Sequence, residues 1–521
     1  MAQQKSEDRV VLEGGVMPAE PAGSSLGGQG KAVPVEETVG QLCLPVATAE
    51  NPQGATRAGS PDRSGALNAG VPKATVNAGN AAPATMEEVA RRLTAALSKV
   101  ASNRGAPGPD GQTIDELREQ WPTVCPKLCS DLLSGVYRPG VIRRVEIPKA
   151  GGGQRGLGIP NVVDRVVQEA VRQVLEPLYE PSFSPHSHGF RPGRSCHTAV
   201  AQASQHLQDG YGWVVDLDLE KFFDRVCHQR LTARLAERVC DRRLLVLIGR
   251  MLKARVVLPD GVVIGTEEGV PQGSPLSPLL SNVVLDELDS ELARRGHRFV
   301  RYADDANVYV RSERAGLRAM SSLTTFIEGR LRLKVNQAKS AVARPEDRHF
   351  LGFRLRLDPQ TQTVEVLLSE RTKRSAMERI RQLTPRQWGG SLEGCIAQIN
   401  VWLRGWHGFF GASSVSEQYT LRALDAHIRR RLRAIVLRHW KRQRTIARKL
   451  VALGVPRRTA WRGVYQGHRS LWALSHIPAV DHGLRNAYFA ERGLVSLVEL
   501  HRRAHQDVAA PAQQQFALEW G

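Results

Sequence analysis

Cysteine is scarce in this 521-residue chain, which has seven cysteines and no C-x-x-C pair. An odd and widely spaced set argues against a disulfide framework and against a zinc ribbon, and it indicates a reducing compartment. No run approaches the roughly 18 consecutive apolar residues of a membrane span, and no apolar segment follows a basic start at the N-terminus. We therefore expect a soluble, intracellular protein with no membrane partner.

Aromatic residues are absent before Trp121. Residues 1–84 contain 6 Lys and Arg against 8 Asp and Glu, and Gly, Ala, Pro, Ser and Asn dominate there. Such a segment can bury too little apolar surface to offset the entropy of ordering it, so the sequence predicts a disordered N-terminal tail. The acidic residues also argue against an organelle transit peptide.

Positive charge is in excess and unevenly spread. The chain has 72 Lys and Arg against 52 Asp and Glu, a net charge of +20, and residues 371–470 alone carry +18. Six of the nine tryptophans, from Trp388 to Trp472, lie in or just past that segment. A basic surface kept for solubility is one interpretation, and a polyanionic partner is the other. We favour a nucleic acid, whose phosphates such a segment would bind without reading base sequence.

Helix and strand signals are mixed between the tail and the basic segment. Apolar residues at helical spacing predict a core helix over 161–178, with Pro177 marking its end. Residues 212–218 read as a short strand that ends in carboxylates, and 299–311 as a hairpin with acids at its tip. A second hairpin is predicted over 349–368, after which the pattern becomes helical and basic.

Two acidic clusters stand at predicted strand ends, Asp218 in one and Asp304 with Asp305 in the other. Either cluster alone is typical of a solvated turn. Together, on neighbouring strands, they would supply the hard oxygen ligands for a pair of divalent ions about 3.5–4 Å apart, as two-metal phosphoryl transfer requires.

Successive motifs of the chain resemble those of a known family. GWVVDLDLEKFFDRV, GVPQGSPLSPLLSNVVLDELD, RFVRYADDANVYV, RLKVNQAKS and RHFLGF follow the order of the palm motifs of reverse transcriptases. Upstream, RRVEIPKAGGGQRGLGIPNVVDRVVQEAV and FSPHSHGFRPGRSCHTAV resemble the fingers of the group II intron reverse transcriptase/maturases. Downstream, LEGCIAQINVWLRGWHGFF resembles their thumb, so the resemblance runs from about residue 86 to near 500.

The resemblance implies an α/β right-hand polymerase, with fingers and an antiparallel palm sheet followed by an α-helical thumb/maturase domain. The expected segments are a disordered tail (1–85), fingers and palm (86–360, core about 130–354), thumb/maturase (371–455) and a short helical C-terminal extension (456–521). The implied activity is RNA-directed DNA synthesis, in which a DNA primer 3′-hydroxyl attacks a dNTP with two Mg²⁺ ions. Binding of the intron RNA would assist its splicing and mobility, in a cytoplasmic ribonucleoprotein. Because no cysteine follows Cys395, we expect no HNH endonuclease.

Residue by residue, the family pattern gives Asp218, Asp304 and Asp305 as catalytic metal ligands, with the Leu219 carbonyl as a further ligand. For Asp216, on the same strand face as Asp218, a supporting role and a plain surface position stay open. The residues that the family pattern gives for the incoming nucleotide are Lys149 and Arg155 at the triphosphate, Phe223 beneath the sugar, Gln272 near the nucleotide and template, and Lys339 as proton donor to pyrophosphate.

RNA contacts are expected from the fingers and from the basic segment. The candidates are Arg191, Arg194, Arg429, Arg430, Arg431, Arg433, Arg438, Lys441, Arg442, Arg444, Arg448 and Lys449. The interleaved aromatic residues Trp402, Trp406, His407, Phe409 and Trp440 would recognise RNA shape or pack in the thumb core, and packing is favoured for Trp402 and Phe409.

Two other functions fit the same motifs. One is an RNA-binding splicing factor that has kept the fold and lost polymerisation, against which the intact Asp218, Asp304 and Asp305 argue. The other is a reverse transcriptase recruited to phage defence or CRISPR spacer acquisition, which genomic context would distinguish.

Overall fold

The computed structural model describes residues 83–148, 154–466 and 470–506. The predicted tail, up to residue 82, lies outside the described residues, as does Lys149. None of the helices in the described ranges is both long and apolar enough to cross a membrane.

In the described ranges, helices and strands are mixed up to Leu368, and only helices follow. The α-helices are α1 Met86–Ser102, α2 Ile114–Leu133, α3 Val162–Tyr179, α4 Cys196–Gln208, α5 His228–Ala236, α6 Arg242–Leu252, α7 Ser277–Arg294, α8 Glu313–Phe326, α9 Glu370–Leu383, α10 Leu392–Phe410, α11 Gln418–Trp440, α12 Gln443–Ala452, α13 Arg457–Tyr465, α14 Leu471–Leu474, α15 Pro478–Gly483 and α16 Asn486–Ala490. Residues 497–506 are helical as well. The strands are β1 Ile142–Pro148, β2 Gln154–Ile159, β3 Trp213–Leu217, β4 Val256–Val257, β5 Val263–Ile264, β6 Arg298–Tyr302, β7 Asp305–Val310, β8 Ala341–Ala343, β9 Phe353–Leu357 and β10 Val364–Leu368.

A four-stranded antiparallel sheet, in the order β6-β7-β3-β8, carries the acidic motifs. In its register Leu217 lies opposite Ala306, and Tyr302 lies opposite Asp305. The predicted strand over 212–218 and the predicted hairpin over 299–311 are therefore confirmed as β3 and as β6 with β7. The ends of β3 and of the β6–β7 hairpin, which hold the carboxylates, lie side by side.

Each face of this sheet packs on a different hydrophobic core. Alternate residues such as Val215, Phe299 and Val308 join the core formed with α1, α2, α3 and α5 to α8. Their neighbours Val214 and Tyr309 join a second core, formed with α4, the β9–β10 hairpin and the C-terminal helices. The side-chain period of two along a strand thus places the sheet between two apolar layers.

A second sheet, in the order β2-β1-β4-β5, approaches the loop that precedes α7. The backbone N–H of Gly158 in β2 donates to the carbonyl oxygen of Gln272 at 2.7 Å. Gly273 has a φ of +108°, and a Cβ there would lie 2.8 Å from the Gly158 carbonyl oxygen. Only glycine permits this close approach of two backbones without strain.

The end of α3 and the start of the second hairpin differ from the sequence prediction. Helix α3 confirms the core helix but continues two residues beyond Pro177, to Tyr179. In the second hairpin, β9 begins at Phe353 instead of residue 349. The preceding turn is closed by reciprocal backbone hydrogen bonds between Phe350 and Phe353, and Gly352 within it has a φ of +93°. The predicted helical pattern after residue 371 is confirmed by α9 to α16.

One buried ion pair anchors the β6–β7 turn. Arg301 in β6 and Asp289 in α7 are both 0% exposed, and two guanidinium nitrogens donate to the two Asp289 carboxylate oxygens at 2.7 and 2.6 Å. The same guanidinium donates to Asn282 Oδ1 (3.0 Å), the Ala303 carbonyl (2.8 Å) and Ser187 Oγ (2.7 Å). All five N–H donors of Arg301 are therefore satisfied.

We expect Asp289→Ala to lower the free energy of unfolding by about 3–5 kcal/mol, because it leaves a buried guanidinium without its counter-charge. Urea denaturation measures the change. The control is Glu378→Ala, since the Arg381–Glu378 pair is exposed on both sides and should cost about 0–1 kcal/mol. Equal losses in the two variants would contradict this account of Arg301.

Candidate active site

Asp218 is held at the end of β3 by the segment that leads into β8. Its backbone N–H donates to Ser340 Oγ at 3.0 Å, and its carbonyl accepts from the Asn336 N–H at 2.8 Å. The next residue, Leu219, forms an antiparallel bridge with Val335. The backbone around the predicted metal ligand is therefore fixed on one side by β7 and on the other by residues 335–340.

The Ala303-Asp304 turn is equally constrained. Ala303 has a φ of +56°, a left-handed conformation that costs energy for a residue with a Cβ. Its carbonyl is held by Arg301, and Gly189 packs so closely that a Cβ there would lie 2.2 Å from the Ala303 nitrogen. The turn directs Asp304 and Asp305 to the end of the sheet where Asp218 lies.

The structure brings these carboxylates within electrostatic reach of each other. Burial, followed by the charges of Asp304, Asp216 and Asp218, raises the pKa of Asp305 to about 7. Burial and Asp218 also raise the pKa of Asp304, while Arg155 opposes that shift.

Asp216 is not a free surface residue. Arg348 Nη2 and Nε donate to Asp216 Oδ2 at 2.6 and 2.9 Å, and Nη2 also donates to the Lys339 carbonyl at 2.6 Å. The supporting role left open by the sequence is the one that this geometry favours. Sequence reasoning had missed Arg348, whose partner is 132 residues away.

The acidic cluster fits a divalent cation in its charge and in its donor atoms. Carboxylate oxygens are the ligands that Mg²⁺ prefers. Burial and then the neighbouring carboxylates raise the pKa of Asp305, and a bound cation would relieve the repulsion among them. Lys339 Nζ lies 3.7 Å from Asp218 Oδ2 and supplies positive charge at this point. In the part of the chain that the structure describes, however, no three His, Cys, Asp or Glu side chains are close enough to form a ready ligand set.

Arg155, in β2, connects the second sheet to the loop before α7. Its Nε donates to Gln272 Oε1 at 2.6 Å, which joins two residues that the sequence analysis assigned separately to the nucleotide. The effect of Arg155 on the pKa of Asp304 shows that its charge also reaches the carboxylates.

Phe223 lies in a short turn of 3₁₀ helix, Phe222–Asp224, five residues after Asp218. It is 8% exposed and Phe222 is 2% exposed, and the two rings meet edge to face. The Phe223 carbonyl accepts from the Val270 N–H at 2.6 Å, which connects this turn to the Gly269–Gly273 loop. Both rings belong to the first hydrophobic core, as the sequence suggested for Phe222, and Phe223 is the one whose backbone is joined to the loop.

The predicted RNA-binding residues divide by exposure. Those with exposed side chains are Arg438, Lys441, Arg442, Arg444, Arg448 and Lys449, at the end of α11 and along α12. Arg194, Arg429 and Arg430 are half-buried, and Arg194 donates to the Pro185 carbonyl at 2.6 Å. The exposed group lies within residues 438–449.

Three other candidates serve the interior, against the expectation of RNA contact. Arg191 is 8% exposed, pairs with Glu180 at 2.8 Å and donates to the carbonyls of Ser184 and Ser187. Arg431 is also 8% exposed and donates to Thr384. Arg433 pairs with Asp481 and donates to the Leu484 carbonyl. Their guanidinium groups are committed to partners within the chain, which charge density alone cannot reveal.

The interleaved aromatic residues pack on the second core. Trp402, Trp406, Phe409 and Trp440 are all partly buried against it. His407 is half-buried, and its Nε2 is enclosed without a partner among the described residues. Packing, which the sequence favoured for Trp402 and Phe409, thus extends to Trp406 and Trp440.

Two known protein-family models match successive segments of the chain. Residues 147–355 match the family model for reverse transcriptase (RNA-dependent DNA polymerase), and residues 373–451 match the model for the group II intron maturase-specific domain. The Escherichia coli protein YkfC is 34% identical over 295 residues, which are 49% of this chain and 77% of YkfC. The chain belongs to the group II intron reverse transcriptase/maturase family.

Other relatives share a smaller part of their length. The group II intron-encoded protein LtrA of Lactococcus lactis is 34% identical over 209 residues, 40% of this chain and 34% of LtrA. Among solved structures, a chain of a partial Cas6-RT-Cas1–Cas2 complex is 24% identical, with a TM-score of 0.31, over 47% of this chain and 42% of that one. The chain thus spans about a third of LtrA.

The raised pKa of Asp305 predicts a pH-dependent stability. Between about pH 4, where an unfolded aspartate titrates, and about pH 7, the folded metal-free protein keeps the Asp305 proton that the unfolded chain has lost. Unfolding free energy should therefore fall as pH rises through this range. Asp305→Asn should remove this fall, so that the variant gains stability over the wild type until about pH 7 and keeps the gain above it.

Urea denaturation at a series of pH values in chelator measures this difference. Asp358→Asn is the control of opposite sign, because a backbone hydrogen bond from Gln360 lowers the pKa of Asp358. That variant should lose stability relative to the wild type as pH rises. A difference between Asp305→Asn and the wild type that is constant from pH 4 to pH 8 would contradict the raised pKa.

Proposed function

We propose that this chain is the RNA-directed DNA polymerase of a group II intron, and that it also binds the intron RNA and assists its splicing and mobility. The observation that carries the proposal is the meeting of Asp218, Asp304 and Asp305 at one end of the β3–β7 pair, opposite Arg155 and Gln272. Membership of the family supports both activities.

The proposed architecture is a right hand. The β6-β7-β3-β8 sheet would be the palm, the β2-β1-β4-β5 sheet with α1 to α3 would be the fingers, and α9 to α12 would be the thumb/maturase domain. In these terms the fingers and palm span 86–360, the thumb/maturase domain 371–455 and the C-terminal extension 456–521. The β9–β10 hairpin joins the palm core to the thumb.

Asp218, Asp304 and Asp305, with the Leu219 carbonyl, would hold two Mg²⁺ ions. When bound, these ions would activate the primer 3′-hydroxyl and stabilise the leaving oxygen. The side chains must rotate to complete the ligand set, and Asp218 must leave Lys339, 3.7 Å away. Arg348 neutralises Asp216, so the net negative charge stays with the three proposed ligands.

The incoming dNTP would lie between the fingers and the carboxylates. Arg155, oriented by its hydrogen bond to Gln272, would bind the triphosphate through its planar fork, together with Lys149. Phe223 would lie beneath the sugar and exclude a 2′-hydroxyl. Lys339, once released from Asp218, would donate a proton to the departing pyrophosphate.

The exposed basic residues of α11 and α12 would grip the phosphates of the intron RNA. Arg194 would contact the template backbone from the fingers. The RNA carries its own catalytic centre in this proposal, and the protein stabilises its active form within a ribonucleoprotein.

Replacing a proposed metal ligand tests the polymerase. Asp304→Asn removes one carboxylate charge at nearly constant volume, and we expect primer extension on an RNA template with Mg²⁺ to fall by about 1,000-fold or more, since metal stabilisation supplies several kcal/mol. Asp260→Asn, in the turn between β4 and β5, is the control and should keep its activity. If the wild type incorporates no dNTP, the polymerase proposal is refuted and the RNA-binding splicing factor becomes the better account.

Phe223 is tested through sugar selection. We expect Phe223→Ala to lower the preference for dNTPs over rNTPs, as a ratio of kcat/KM values, by about 10-fold or more, because the steric barrier to the 2′-hydroxyl is removed. Phe222→Ala is the matched control, which should cost about 3–5 kcal/mol of stability and leave the ratio unchanged. A change of ratio in Phe222→Ala alone would exchange the roles of the two rings.

A further inference from the structure

Three arginines surround a tryptophan that lies beyond the matched maturase segment. The guanidinium carbons of Arg430, Arg386 and Arg431 lie 4.2, 5.3 and 5.8 Å from the ring centroid of Trp472 in α14. The ring of His427 is 6.2 Å away, edge to face. We call Trp472 with Arg386, Arg430 and Arg431 the Trp472 cluster.

Among the described residues, acids do not balance the positive charges of the Trp472 cluster. Arg386 and Arg430 form no ion pair with a carboxylate in the described ranges, and Arg430 Nε is enclosed without any hydrogen-bond partner there. Glu378, the acid that acts on Arg431, is itself paired with Arg381 at 3.1 Å. Cation–π attraction to the Trp472 ring thus holds several positive charges together. Some N–H donors of these arginines remain without a hydrogen-bond partner in the described ranges.

The arginines of the Trp472 cluster differ in how many N–H donors remain free to bind a ligand. Arg431 Nε and Nη2 donate to Thr384 and the Arg381 carbonyl, so this residue contributes charge and holds α9 to α11. Arg386 is exposed and Arg430 is half-buried, so both can contact an anion. Two forked donors beside an uncompensated charge match the geometry and charge of a phosphate.

We propose that the Trp472 cluster is a phosphate-binding site for the backbone of the intron RNA, and that the C-terminal extension completes this site by supplying Trp472. This inference rests on the proposed maturase function for its choice of RNA. Arg386 and Arg430 bind the phosphate, and Trp472 keeps them together in the free protein. The site is distinct from the exposed basic residues of α12.

A chemical footprint on the wild-type full chain tests the site directly. Arginine modification by phenylglyoxal, read by mass spectrometry, is compared without nucleic acid, with a structured RNA hairpin, and with a DNA duplex of the same sequence. The RNA should protect Arg386 and Arg430, while Arg374, exposed on α9, stays reactive. Unprotected Arg386 and Arg430 in RNA-saturated protein would overturn the proposal, as would stronger protection by the DNA duplex.

Charge variants give a second readout. Arg386→Gln with Arg430→Gln should reduce the slope of log affinity against log salt by about 1–2, since each lost phosphate contact removes roughly 0.7–0.9. Arg374→Gln with Arg379→Gln removes the same charge from exposed positions on α9 and should change the slope less. Equal changes would show diffuse attraction and refute a built site. Thermal unfolding of each variant checks its fold, and the footprint decides if one fails to fold.

Primer extension by the wild-type chain on poly(rA) with an oligo(dT) primer, run in parallel, separates this inference from the polymerase proposal. Extension with no protection of Arg386 and Arg430 rejects the Trp472 cluster alone. Protection with no extension supports the cluster and rejects the polymerase.

Discussion

The Arg301–Asp289 pair is the interaction on which the candidate active site depends. Arg301 sits in β6, Asp289 and Asn282 in α7, and Ser187 in the segment that runs beside β6. Its fifth donor holds the Ala303 carbonyl, in a turn whose φ is unfavourable for alanine. A buried pair of this kind adds little net stability but is expensive to break. It therefore acts as a constraint, because the turn that presents Asp304 and Asp305 can adopt only the geometry that satisfies all five donors.

With the turn fixed in this way, electrostatic repulsion is built into the folded chain. Four carboxylates meet at one end of the sheet, and Arg348 neutralises only Asp216. Burial and this repulsion together raise the pKa values of Asp304 and Asp305. Lys339, 3.7 Å from Asp218, reduces that cost without removing it. A site that is unfavourable in the free protein is one in which cation binding gains the most, which links the stability of the fold to the proposed chemistry.

The local sequence pattern was sufficient to predict the strands and the acidic residues at their ends. Both the period-two alternation and the order of the motifs correspond to the strands of the sheet. The local pattern was insufficient wherever a polar residue finds a distant partner. Arg301 stands two residues after Phe299 and so on the same core-facing side of β6; a charge at that position signals a buried partner but does not name Asp289. The sequence predicted RNA contacts for three arginines, Arg191, Arg431 and Arg433. The density of positive charge along the chain does not reveal the backbone carbonyls that folding brings next to them.

The fate of these arginines changes how the net charge should be interpreted. A guanidinium that donates to Thr384 or pairs with Asp481 counts toward the +18 of residues 371–470. Because it is held by these partners, it is not free to neutralise an RNA phosphate and so release the counterion bound there. Groups with free donors can, and two sets of them lie along α12 and around Trp472. The first is exposed and suits diffuse, salt-sensitive attraction. The second is partly enclosed and fixed by an aromatic ring, so it favours one position of the backbone over others. Orientation of a folded RNA requires the second kind of contact, because long-range charge alone cannot distinguish one register of phosphates from the next.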